Sequence, residues 1–82
     1  MIEEIIRGYI SRTAQIAPPA DHDRLVERGF LPSIRLLELV GFLEDEFGIT
    51  LRPKDLLPDK LATIAQLAAM VRERIAARHT LS

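Results

Sequence analysis

The stretch Gly29-Phe30-Leu31-Pro32-Ser33-Ile34 sets one small hydroxyl at the mouth of an amphipathic, acid-rich segment. A serine there could attack a substrate, cap a helix, or carry a modification on its oxygen. Attack needs a base and oxyanion donors. Neither His22 nor His79 is placed by sequence to serve Ser33, and there is no Gly-x-Ser-x-Gly turn. No catalytic residue is therefore assigned. The two histidines stand far apart near loop or terminal positions, so no metal site is expected. The chain has no Cys, which rules out a disulfide framework and thiolate ligands. Any thiol chemistry would need an added group.

The elements around Ser33 follow from apolar spacing. Ile2, Ile5, Ile6, Tyr9, Ile10, Thr13 and Ile16 recur at threes and fours and predict a helix over 2–16. Pro18 and Pro19 end it. Residues 17–32 form a long connection, and Leu25, Val26, Phe30 and Leu31 are apolar enough to pin it to the helices; 21–26 can hold a short helical turn. Leu36, Leu39, Val40, Leu43 and Phe47 predict a second helix over 33–47, stopped by Gly48. Glu44, Asp45 and Glu46 crowd its C-terminal end, where the helix dipole favours cations instead. Residues 49–53 read as an extended link and 53–58 as one helical turn, with Pro53 at its first position and Pro58 closing it. Thr63-Ile64-Ala65-Gln66 is a capping box that opens a last helix carrying Ile64, Leu67, Ala68, Val71 and Ile75.

These elements make a single domain over 1–82, all-α: a small four-helix bundle of three main helices and one short third helix, with a long first loop. A net charge of −1 and an acidic second helix argue against nucleic acid. No apolar run reaches the roughly 20 residues of a membrane span, and the start lacks the features of a signal peptide. The expected compartment is the cytoplasm.

In this order the chain resembles acyl and peptidyl carrier proteins. The matching segments are Gly29 to Ile34, Leu37-Glu38-Leu39-Val40, Leu43-Glu44-Asp45-Glu46-Phe47-Gly48-Ile49, and Leu57-Pro58-Asp59 leading to Thr63-Ile64. The resemblance implies a stand-alone, monomeric, non-catalytic carrier. Its cofactor would be 4′-phosphopantetheine, donated by coenzyme A and joined to the Ser33 hydroxyl. Cargo would ride as a thioester, in fatty acid or secondary metabolite biosynthesis or in aminoacyl transfer. The Gly29-Phe30-Leu31 approach and the Leu36-Leu37 pair look closer to aminoacyl, D-alanyl-type or peptidyl carriers. The implied partners are a phosphopantetheinyl transferase, an adenylating acyl or aminoacyl ligase, and a downstream transferase or synthase. They would meet Ile34, Leu37, Glu38, Gly41, Glu44 and Asp45, on the outer side of the second helix. One position departs from the family: Pro32 stands where it usually has Asp before the serine. That departure keeps open an alternative, a carrier-like protein-binding module that has lost the arm.

Overall fold

A computed structural model describes residues 1–29 and 34–81. Phe30, Leu31, Pro32 and Ser33 lie outside the described residues. Among those described, the chain forms three α-helices, two 3₁₀ turns and no strand: α1 (Ile2–Ala14), α2 (Arg35–Phe47), 3₁₀ turns at Pro53–Asp55 and Pro58–Lys60, and α3 (Ile64–Leu81). The short third helix of the expected bundle is thus a pair of 3₁₀ turns, and Pro58 opens the second of them rather than closing the first. A proline has no N–H to lose at a first helical position, which suits it to either start.

The first helix ends two residues earlier than its apolar stripe suggests. Gln15 takes a left-handed conformation (φ 56°) and donates its N–H to the Ser11 carbonyl. The Ser11 hydroxyl donates to the Ile16 carbonyl at 2.7 Å. These local bonds close the helix before Pro18 is reached. At the end of α2, Gly48 (φ 63°) does what its position predicts and donates to the Glu44 carbonyl. At the start of α3, the Thr63 hydroxyl accepts from the Gln66 N–H at 3.1 Å and donates to the Gln66 side chain at 3.3 Å.

The core forms where the three stripes meet. Ile6 and Ile10 of α1, Leu39 and Leu43 of α2, and Ile64, Leu67, Ala68 and Val71 of α3 are fully buried, joined by Leu25 from the first loop. Leu36, Val40 and Phe47 of α2 pack partly against this cluster. Tyr9 stacks on Phe42 across α1 and α2, ring centroids 4.1 Å apart. Val26, expected to help pin the loop, is exposed. On the outer side of α2, Ile34 and Leu37 remain 75% and 72% exposed.

One ion pair spans the ends of the chain. Arg72 grips Glu3 with two hydrogen bonds of 2.7 Å each. These bonds, with one from the peptide N–H of Glu3 itself, pull the Glu3 carboxyl from its ordinary 4.5 to about 2. Arg72 is half exposed, so water and salt screen the pair.

Two outcomes follow. A depressed carboxylate pKa gives stability that is whole above pH 4.5 and lost as pH falls toward about 2. Glu3→Gln should therefore flatten the acid-side decline in melting temperature within that window and leave the slope near neutrality unchanged. Leu39→Ala should cost about 2–5 kcal/mol by denaturant titration, as a buried leucine does. Leu37→Ala should stay within about 0.5 kcal/mol of the parent, as an exposed position does.

Candidate functional site

The start of α2 is positioned from both sides. On one side the first loop is tied down: the Leu25 N–H donates to the Ala62 carbonyl and the Ala65 N–H to the Asp21 carbonyl, both at 2.9 Å. Arg7 adds a third tie, donating to the Pro19 carbonyl at 2.8 Å and pairing with Asp21 and Glu4. Beyond Leu25 the chain makes a tight turn. Arg28 N–H bonds to the Arg24 carbonyl, Gly29 N–H to the Val26 carbonyl, and Arg24 pairs with Glu27 at 2.7 Å. Gly29 has φ 78°, a value that glycine reaches without strain, and a Cβ there would meet nothing within 4 Å. On the other side Leu36, Leu39 and Leu43 seat α2 on the core.

Ile34 already has helical dihedrals (φ −64°) and contributes no side-chain cap to α2. The first N–H groups of a helix have no intrahelical acceptor and form the positive end of its dipole. Such an end suits an anion on the preceding residue. The open space at Gly29 and the exposure of Ile34 leave room for a long substituent leading into solvent. Ser33, the expected attachment residue, lies outside the described residues.

The other expected site residues fall as follows. Ile34, Leu37, Glu38 and Asp45 are exposed, and Gly41 lies between them with open space above it. Arg35 leans on Glu38 at 3.7 Å. Glu44 has work inside the molecule: it is half-buried and accepts the Leu51 N–H at 3.0 Å, which draws the link after α2 back over its last turn. That use explains one of the three acids at the unfavourable helix end. Asp45 and Glu46 are exposed and make no ion pair among the described residues. His22 is exposed, and among the described residues no three His, Cys, Asp or Glu side chains come together as metal ligands do.

Sequence spacing missed a cavity. A space of about 280 Å³ opens between the turn at 24–29 and α2, walled by Val26, Leu36, Leu56, Leu61 and Ala62, with the Arg24–Glu27 pair beside it. Leu61 and Ala62 belong to no periodic stripe, so only the tertiary fold brings them to Leu36. Arg28, exposed on the turn that follows Leu25, was likewise not singled out.

No described helix is long and apolar enough to cross a membrane. No curated protein and no solved structure matches the chain significantly. The family model for the phosphopantetheine attachment site matches residues 4–71. That span takes in most of α1, the tied loop, all of α2, both 3₁₀ turns and the fully buried residues of α3. By this match the chain belongs to the phosphopantetheine attachment-site family, the helical carriers on which 4′-phosphopantetheine is covalently held.

Proposed function

We propose that Ser33 is the attachment residue and that the chain tethers an acyl or aminoacyl group and presents it to partner enzymes, without breaking or making bonds in the cargo itself. The supporting observation is the pairing of the family match with two large aliphatic side chains, Ile34 and Leu37, left 75% and 72% exposed directly after Ser33. Large apolar side chains with no intramolecular use suggest a surface that meets other proteins. When bound, the arm supplies the terminal thiol that this Cys-free chain lacks. The chain's own part is to hold the anchor oxygen at the positive end of α2 and to keep the Ile34–Leu37 face free. The partners are a phosphopantetheinyl transferase, an adenylating acyl or aminoacyl ligase, and a downstream transferase or synthase, meeting a cytoplasmic monomer through Ile34, Leu37, Glu38, Gly41, Glu44 and Asp45.

Between the two cargo classes, the apolar cavity beside Leu36 favours acyl. Its walls are mainly aliphatic, and the two charged side chains among them, Arg24 and Glu27, are paired with each other. The Gly29-Phe30-Leu31 approach and the Leu36-Leu37 pair lean the other way, toward aminoacyl, D-alanyl-type or peptidyl carriers, which stays the second reading.

The test is intact-mass analysis after incubation with coenzyme A and a promiscuous transferase. We expect one arm per chain, on the peptide bearing Ser33, and none on Ser33→Ala, which loses at most a helix cap worth about 1 kcal/mol. Well-folded wild type that gains no mass points instead to the arm-less binding module. Pro32→Asp should load faster in a matched time course, because it breaks no N–H donation and adds a carboxylate at the helix start, where the dipole favours one. Equal rates would show that Pro32 is a neutral variation.

A further inference from the structure

A second cavity, of about 200 Å³, lies between the 3₁₀ turns and one face of α3. Asp55, Asp59 and Lys60 wall it from the turns, and Gln66, Ala69, Met70 and Glu73 from the helix. The four helix positions follow at i, i+3, i+4 and i+7, so they form one face. Gln66 and Glu73 stand about 10 Å apart along its axis. This cavity shares no wall residue with the one beside Leu36, and none with the outer side of α2.

Three carboxylates and one ammonium line this space. Asp55 matters most. It is only 2% exposed, and a carboxylate buried that deeply ordinarily has a cation beside it. Its Oδ2 accepts the Arg52 N–H at 3.0 Å. Its Oδ1 accepts from no donor among the described residues, yet it is not sealed in the core, so it faces the cavity. Among the described residues neither Asp55 nor Asp59 makes an ion pair, and exposed Lys60 makes none either. Arg24, whose charge reaches Asp59, is already paired with Glu27 at 2.7 Å, and Arg74 approaches Glu73 at 3.7 Å. The three acids do not converge as metal ligands do. A single metal ion needs converging oxygens. A chain with a cation at each end does not, and its methylenes suit the apolar wall of Ala69 and Met70.

We propose that this cavity binds a linear aliphatic dication of the diamine class. One ammonium bonds to the free oxygen of Asp55, the methylenes lie on Ala69 and Met70, and the second ammonium meets the exposed rim acids Asp59 and Glu73. Asp55 supplies most of the selectivity, because a charge-assisted bond to a buried carboxylate is screened less than one at the rim. Lys60 competes with the ligand for the rim acids. Nothing in this site depends on the carrier reading, since none of its residues takes part in arm attachment.

The chain has two methionines and only Met70 lines the cavity, so in a methionine-methyl NMR spectrum Met70 reports on the site and Met1 is the internal reference. The full chain is titrated with putrescine, butylamine or magnesium chloride at matched ionic strength. We expect putrescine to shift the Met70 signal saturably and leave Met1 still. It should bind about tenfold more tightly than butylamine, which holds only one end. Magnesium should not reproduce the shift. Asp55→Asn keeps an oxygen for the Arg52 N–H and should weaken putrescine binding about tenfold or more. Lys60→Ala should tighten it about two- to threefold, and Glu46→Gln on α2 should leave it unchanged. No saturable shift of Met70, equal movement of Met1, equal affinity for putrescine and butylamine, the same shift with magnesium, or full affinity in Asp55→Asn would each overturn the proposal. Should Asp55→Asn melt early, the exposed double variant Asp59→Asn with Glu73→Gln decides, and undiminished putrescine binding there overturns it as well. Loading at Ser33 is scored separately by mass, so the carrier reading and this one fail independently.

Discussion

Two backbone hydrogen bonds, from the Leu25 N–H to the Ala62 carbonyl and from the Ala65 N–H to the Asp21 carbonyl, decide where the functional end of the molecule stands. The stretch between α1 and α2 is too long to hold itself, and unsupported loops of that length rarely keep one shape. Pinned at Asp21 and Leu25 to the start of α3, it becomes two short spans. The second is the turn at 24–29 that delivers the chain to α2. Leu25, fully buried, makes the tie cooperative with the core: losing the hydrogen bond would also expose the side chain. Asp21 couples the same point to α1 through Arg7, so α1 and α3 both bear on one loop.

This arrangement separates structural from chemical work. α2 commits Leu39 and Leu43 to the core, and the half-buried Glu44 to Leu51. What remains on its outer side includes the exposed Ile34, Leu37, Glu38 and Asp45, with Gly41 between them. The cost is modest. Charges set against the preference of the helix ends weigh a few tenths to about 1 kcal/mol each, and a helix glycine about the same. A domain of marginal stability can carry such terms only if the rest of its local chemistry agrees. Gly48, Thr63 and the Glu3–Arg72 pair supply that agreement elsewhere.

Much of this was legible in the residues themselves. The stripes of α1, α2 and α3 rest on local periodicity, and Gly48 and Thr63 on terminus chemistry that needs no tertiary knowledge. All but one of the misses depend on partners distant in sequence, the exception being Gln15, whose bonds are local. The left-handed Gln15 could not be read from a glutamine, since nothing in its side chain asks for that conformation. Phe42 falls outside the apolar stripe of α2, and only Tyr9 on another helix explains its place. Nothing local to Arg72 points to its partner, because Glu3 is 69 residues away. Val26 and Leu25 are adjacent and similar, but the hydrogen bond to Ala62 selects Leu25 for the core and turns Val26 outward. For the site, the outward row on α2 was legible from the same helix geometry that identified its core stripe. The cavity beside Leu36 was not, because Leu56, Leu61 and Ala62 reach it only through the 3₁₀ turns.

The size of the α2 face bears on how such a carrier works. A row of five or six residues is well short of the 20–30 per side found in stable complexes. Under the proposed carrier reading, contacts through so small a row would be brief, and affinity would not be the quantity that sorts right from wrong partners. Exposed charge on the row would act before contact, by orienting the approach and raising the rate of encounter without holding the complex together. A carrier that must leave one enzyme to reach the next would gain from this, because steering adds discrimination while release stays fast.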